Sequence, residues 1–393
     1  MKTIRWFHVI GLLIFTNLTS WVLAAAPANN NFTNRISLGG SLVSTAGSNV
    51  EATKEFGEPD HAGNIGGKSV WWYWTADFDG LATIDTTGSG FDTVLAVYTG
   101  YPVDSLTLVA ANDDNDTNVT SRVTFHAVAG YTYVIAVDGF NDGQAAASGA
   151  ISLNVKLVPT NDNFKKRFAL VGTSVSTTGT NQNATKETGE PNHAGYTGGH
   201  SVWWRWTAPY TGQARVDTIG SNFDTLLAVY TGTAVNSLVL VASDDQSGGN
   251  NTSLLTFNCT QGTTYQIAVD GWNGQVGNVV LHFPPVITNQ PAPTGVTAGA
   301  TAPFDFAITG SNLTFQWQES RNGQFGSYFN LLESYPYSGV YSLNLLVDTI
   351  LTMNNYWYRC RISFQGGEVF TDAAQLTVNA PLITNQPQST GVT

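Results

Sequence analysis

GEPDHAGNIGGKSVWWYWT, residues 57–75, returns as GEPNHAGYTGGHSVWWRWT, residues 189–207, with fourteen of nineteen positions unchanged. Its last seven residues read as a strand. Val70, Trp72 and Trp74 point one way and Trp71 and Tyr73 the other, the two-residue period of a pleated chain. The two copies stand 132 residues apart, and the same offset relates Phe32 to Phe164, Phe91 to Phe223 and Asp138 to Asp270 without a gap. Residues 28–158 and 160–284 are therefore two copies of one domain. In the first, further strands are expected at 81–86, 93–99, 105–111, 121–128, 131–139 and 150–157, with Gly, Asn or Asp between most of them. Seven to nine short strands, turn residues between them and no helical period predict an antiparallel, jelly-roll-type β-sandwich in each copy.

A second repeat follows. PPVITNQPAPTGVT begins at Pro284 and APLITNQPQSTGVT at Ala380, an offset of 96 between Ile287 and Ile383. It marks 285–379 as a third domain and 380–393 as the start of a further, truncated one. The expected fold class is all-β throughout.

Composition narrows the function classes. The chain has 393 residues and a formal net charge of −12, yet only 11% of residues are charged. With 16 Lys and Arg, no basic stripe is available to displace phosphate counterions, which argues against nucleic acid. The same scarcity argues against anionic lipid surfaces. The first 24 residues carry Lys2 and Arg5, a short apolar run from Val9 to Phe15 and small residues up to Ala24. That is the pattern of a signal peptide. The run is too short to span a bilayer, so an exported protein, secreted or at the cell surface, with no membrane insertion after signal removal, is expected. The two cysteines, Cys259 and Cys360, fall in different domains and are expected as buried thiols.

The third domain contains TFQWQ around Trp317 and YWYRCRI, which places Tyr358 two residues before Cys360. This resembles the immunoglobulin fold, with its core tryptophan, tyrosine corner and second cysteine. Phe306 stands where the first cysteine would be, so the resemblance is to disulfide-free immunoglobulin-like domains of bacterial surface proteins. The long repeats carry FDTLLAVYTG, a DD turn and GTTYQIAVDG between residues 223 and 271, in the same order as FDTVLAVYTG, NDD and GYTYVIAVDG in the first copy. That order resembles the pre-peptidase C-terminal (PPC-like) domain. The resemblance implies non-catalytic β-sandwiches of secreted bacterial proteins, used in targeting or adhesion and binding calcium in some members.

Three sets of residues carry candidate chemistry. Glu58 and His61, repeated as Glu190 and His193, are a pair suited to acid–base work, or a loop closed by hydrogen bonds to nearby backbone. Asp92, Asn112, Asp113 and Asp138 match Asp224, Asp244, Asp245 and Asp270 at strand ends and turns. Calcium takes six to eight such oxygens, whereas Asx-turn chemistry accounts for the same residue types without an ion. No other cofactor is indicated. Phe140 and Trp272, matched positions after the V-D-G turn, are placed to stack on a sugar ring or to cap the sandwich end. The sequons at Asn118, Asn183 and Asn312 are what so Asn- and Thr-rich a chain yields by chance. The expected function is a non-catalytic binding or adhesion array for an extracellular polysaccharide or protein ligand. An accessory region of a secreted hydrolase and a structural stalk are the alternatives.

Overall fold

The computed structural model describes residues 25–310, 312–364 and 367–381. The expected signal peptide, 1–24, and nearly all of the expected truncated repeat, 380–393, lie outside the described residues. Among the described residues no helix is long and apolar enough to cross a membrane.

The first copy contributes β1 (Ile36–Leu38), β2 (Leu42–Ser48), β3 (Val70–Thr75), β4 (Gly80–Asp85), β5 (Thr93–Thr99), β6 (Thr107–Asn112), β7 (Arg122–Ala127), β8 (Thr132–Gly139) and β9 (Ala150–Pro159). They form two sheets, β1-β3-β8-β5-β6 and β2-β9-β4-β7. Apart from β1, which adds to β3 in parallel, this is the strand order of a jelly roll, two interleaved Greek keys. The second copy repeats it with β10 (Phe168–Leu170), β11 (Val175–Thr180), β12 (Val202–Thr207), β13 (Gly212–Asp217), β14 (Thr225–Thr231), β15 (Val239–Asp244), β16 (Leu254–Cys259), β17 (Thr264–Gly271) and β18 (Asn278–Phe283). Its sheets run β10-β12-β17-β14-β15 and β11-β18-β13-β16.

The tryptophan strand shows why one motif recurs. Val70, Trp72 and Trp74 fill the space between the sheets with Ile84, Val97, Ile135 and Leu153. Trp71 points outward, yet it is fully buried. The turn at Phe32 and the 49–69 loop cover that face, so Trp71 packs with Phe32, Ala96, Tyr98 and Val134 in a second apolar layer. Strand alternation puts Trp71 on the face away from the core; a long loop folded over the sheet buries that face as a second layer.

Residues beyond Pro284 form β19 (Ile287–Asn289), β20 (Thr294–Thr297), β21 (Thr301–Asp305), β22 (Ala307–Ile308), β23 (Thr314–Ser320), β24 (Phe329–Asn330), β25 (Tyr337–Ser338), β26 (Asn344–Asp348), β27 (Trp357–Phe364), β28 (Gly367–Phe370) and β29 (Ala374–Asn379). One sheet runs β20-β29-β27-β23-β24 with β28 also on β27, and β21-β26-β25 faces it, an immunoglobulin-like sandwich. Trp317 lies opposite Cys360 across β23 and β27, and Phe306 packs on Trp317 with ring centroids 5.7 Å apart. The tyrosine corner does not form. The Tyr358 hydroxyl meets no backbone carbonyl, because the ring turns inward onto Phe304 at 5.0 Å and Tyr337 at 6.3 Å. Cys259 and Cys360 are both free and buried.

The two jelly rolls are tightly joined. β9 ends at Pro159, and Asn161 already exchanges two hydrogen bonds with Trp203 of the second copy, at 3.1 and 3.0 Å. Only Thr160 lies between. Across the joint, the Asn183 amide donates to the Ser41 carbonyl, the Ser41 hydroxyl and the Leu157 carbonyl at 3.1, 2.9 and 3.0 Å. Asn183 holds a left-handed backbone, φ 57°, and so does its counterpart Glu51, φ 63°. No jelly roll faces Glu51 among the described residues, so the clasp across the joint is made by Asn183.

Candidate functional site

The Glu-Pro-Asp/Asn-His loop is a brace. Glu55 accepts the Phe32 N–H, and its own N–H donates to Glu58 at 2.9 Å. The other Glu58 oxygen meets His61 Nε2 at 2.9 Å, and His61 Nδ1 meets the Tyr98 hydroxyl at 2.8 Å. Burial and the Glu58 charge push the Tyr98 hydroxyl well above its ordinary pKa, so it keeps its proton; a carboxylate only accepts, so the imidazole Nε2–H donates to Glu58. Every step recurs in the second copy: Glu187 to Glu190 at 2.8 Å, Glu190 to His193 at 2.9 Å and His193 to Tyr230 at 2.9 Å. The geometry is that of a proton relay, but the His61 ring is 1% exposed and Glu58 and Tyr98 are also buried. The expected tie to nearby backbone describes half of Glu58. His61 instead bonds two side chains, which anchor the loop to β5 through Tyr98.

The paired glycines serve Asp138, the buried carboxylate at the end of β8. It accepts N–H bonds from Gly67, Lys68 and Gly139 at 2.9, 2.7 and 2.7 Å. A Cβ on Gly66, which has φ +51°, would lie 1.8 Å from Asp138 Oδ2. Asp270 and Gly198 repeat the arrangement, again at 1.8 Å. Glycine is required there because the loop backbone runs against the carboxylate. Burial raises the pKa of Asp138 despite the three amides. Glu58, His61 and Asp138 come within ligand distance of one another, but each of these groups already has hydrogen-bond partners. As placed, the set holds the loop to the sheet.

The eight carboxylate and amide residues do not all gather into one site per copy. Asp138 and Asp270 belong to the braces. Asn112 accepts the Arg122 N–H at 2.9 Å, and Asp244 accepts the N–H groups of Ser247 and Leu254, both at 2.9 Å. These two close turns. What does converge is Asp92 and Asp113 together with Asp114, their oxygens within 4.8 Å of one another. One buried oxygen on Asp92 and one on Asp113 have no hydrogen-bond partner, and burial followed by repulsion from Asp114 raises the pKa of both. The second copy is a natural control. Gln246 occupies the Asp114 position, and its amide donates to Asp224 at 3.1 Å and to Asp245 at 3.3 Å. In that copy a side-chain N–H satisfies what the first copy leaves as three convergent carboxylates. Orphaned hard oxygens on loops are the donor type that calcium takes, and in the second copy an amide stands at the same place. Asp114 escaped the sequence reading because only its counterpart's chemistry marks it.

Trp272 is 38% exposed on a short turn and Phe140 is half-buried. Their N–H groups bond the carbonyls of Asp224 and Asp92, which places the two aromatics at the same end of the sandwich as the acidic turns.

No family model matches the chain, and no curated protein is similar to it. Among solved structures, it is similar to the N-terminal Ig1-2 module of the Drosophila receptor protein tyrosine phosphatase DLAR, at 15% identity over 46% of this chain and 90% of that chain, TM-score 0.21. It is similar also to the insect immune protein hemolin, at 14% identity over 46% of this chain and 53% of that chain, TM-score 0.23. The Ig-like domain of human Leucine-rich repeat-containing protein 4 matches at 16% identity, 25% of this chain and 91% of that chain, TM-score 0.21. At these TM-scores the likenesses carry no argument about ligand or activity.

Proposed function

We propose that this chain is an exported, non-catalytic binding or adhesion array, built of two PPC-like jelly rolls and an immunoglobulin-like sandwich in rigid succession. One observation carries the reading. The Glu–His–Tyr relay, the motif closest to catalytic machinery, is sealed in both copies and fully used in holding a loop on a sheet. Catalysis needs such groups within reach of substrate, whereas a brace needs them buried. The tight joint between the jelly rolls supports the same reading, since a fixed spacing presents loop ends in a defined order. In this reading Asp92, Asp113 and Asp114 hold one calcium ion in the first copy, stiffening the loop end that carries Phe140.

The purified full chain, assayed on a glycan array and on immobilised collagen, should bind at least one of them saturably. Silence on both surfaces would sink the binding reading and favour a stalk. Hydrolysis of casein or of chromogenic glycosides by the purified chain would overturn the non-catalytic part.

A further inference from the structure

The two jelly rolls form a cleft of about 880 Å³, within the roughly 300–1,000 Å³ of small-molecule sites. We propose that this cleft binds a segment of a neutral, hydroxyl-rich oligosaccharide. The inference rests on the binding reading above and names the ligand class and the place.

The lining carries the argument. The first copy contributes Asp77 and Phe78 from the β3–β4 turn, and the second contributes Phe168, Thr178, Gln182 and Asn222. Phe168 is 44% exposed, a flat apolar ring with no stacking partner among the described residues. The C–H face of a pyranose is an apolar surface of matching shape. Asp77 and Gln182 are exposed and their side chains bond nothing else among the described residues. Asn222 accepts the Asn278 N–H through Oδ1 and keeps its amide donors free. Amides and hydroxyls both donate and accept, as sugar hydroxyls do. No Lys, Arg or His lines the cleft, so a phosphate or a uronic acid finds no counter-charge.

The duplication supplies an independent control. At the positions matching Phe168, Thr178, Gln182, Asn222 and Asn278 the first copy has Ile36, Ala46, Val50, Gly90 and Ala150. The ladders place these pairs equivalently, since Gly90 N–H bonds the Ala150 carbonyl as Asn222 N–H bonds that of Asn278. All ten positions are exposed, so packing does not explain the difference. Of the two matched surfaces, only the second copy's lines the cleft, and only it carries an aromatic ring, hydroxyl and amides. The Asn183 clasp and the one-residue link hold the walls at a fixed distance, which limits the ordering cost of binding.

The test is isothermal titration of the full chain with cellohexaose, xylohexaose and mannohexaose. At least one should bind saturably and independently of salt. Phe168→Ala should weaken it about fivefold to tenfold and Gln182→Ala should also weaken it, while Ile36→Ala, the mirror position, changes nothing. Both cleft side chains are exposed, and an unchanged thermal melt would verify folding. Three results would overturn the proposal. One is no binding of any hexaose. A second is binding that Phe168→Ala and Gln182→Ala leave intact. A third is preference for a lysine-rich peptide that high salt abolishes. If glycan binding survives both cleft variants and is lost in Trp272→Ala, the array reading stands and the cleft falls alone. If neither glycan nor collagen binds, both fall together.

Discussion

Replacing Gly66 by Ala tests whether the repeated motif is a brace. Gly63 and Gly66 both hold left-handed backbones, φ +79° and +51°, but a Cβ on Gly63 meets nothing within 4 Å whereas one on Gly66 lies 1.8 Å from Asp138 Oδ2. Gly63→Ala should cost only the conformational strain, about 1–2 kcal/mol. Gly66→Ala carries the same strain and must also push Asp138 off the Gly67 and Lys68 amides. Hydrogen bonds to a buried charge are worth about 1.5–3 kcal/mol each, so losing two adds a penalty of about 3–6 kcal/mol. Against a domain stability of roughly 5–15 kcal/mol, the first jelly roll becomes marginal.

The difference between the two variants should also depend on pH. Burial raises the folded-state pKa of Asp138 above 3.8. Its contribution to stability is therefore fully present below that value and lost as pH rises through the folded pKa. Gly66→Ala removes amides that favour the carboxylate and raises the pKa further, so the gap from Gly63→Ala should widen as pH rises above about 4. The assay is urea unfolding of the full chain followed by tryptophan fluorescence, with the other domains as internal references because a multidomain chain is not two-state. Gly198→Ala should move the second jelly roll's transition by a similar amount. A Gly66→Ala chain within about 1 kcal/mol of Gly63→Ala at neutral pH would refute the reasoning.

Three further outcomes follow from named groups. Calcium should raise the melting temperature of the first jelly roll, and Asp114→Gln, which installs the counterpart of Gln246, should raise it without calcium and abolish the response; an unchanged calcium shift in that variant would exclude the cluster. Burial pushes the Cys360 thiol up to about 12 and raises that of Cys259 as well, so neither should react with a disulfide reagent at about pH 8 until the chain is unfolded in urea; labelling of the native chain would contradict their burial. Asn183→Ala should broaden the distance distribution between the two jelly rolls in small-angle scattering while shifting melting by no more than about 1–2 kcal/mol; an unchanged distribution would show that the clasp does not set the joint.

Strand periodicity and the 132-residue offset were enough to read the sandwiches, because alternation and turn residues act locally. SVWWYWT, TVLAVYTG and YTYVIAVDG sit in the sheets close to where their patterns put them, as β3, β5 and β8. β1 and β2 lack such a pattern: ISL is short and LVSTAGS is half-exposed and weakly apolar. They are strands because β3 and β9 offer them partners. The same limit applies to Trp71, whose burial depends on a loop that no periodicity describes.

The candidate sites were legible as residues and not as constellations. Asp138 and Asp113 look alike in a turn-rich sequence, yet one faces three backbone amides and the other two carboxylates. Asp114, Gln246 and Asn183 became informative only when each was compared with its counterpart 132 residues away in the folded chain. Duplication is what makes such a comparison physical: backbone and neighbours are nearly constant, so a changed side chain reports a changed task. By that measure the brace is shared, since Glu58, His61, Tyr98 and Asp138 are identical in both copies. The acidic cluster, the clasp and the polar cleft surface each belong to one copy only. The fold accounts for what the copies share, and the functions proposed here lie where they differ.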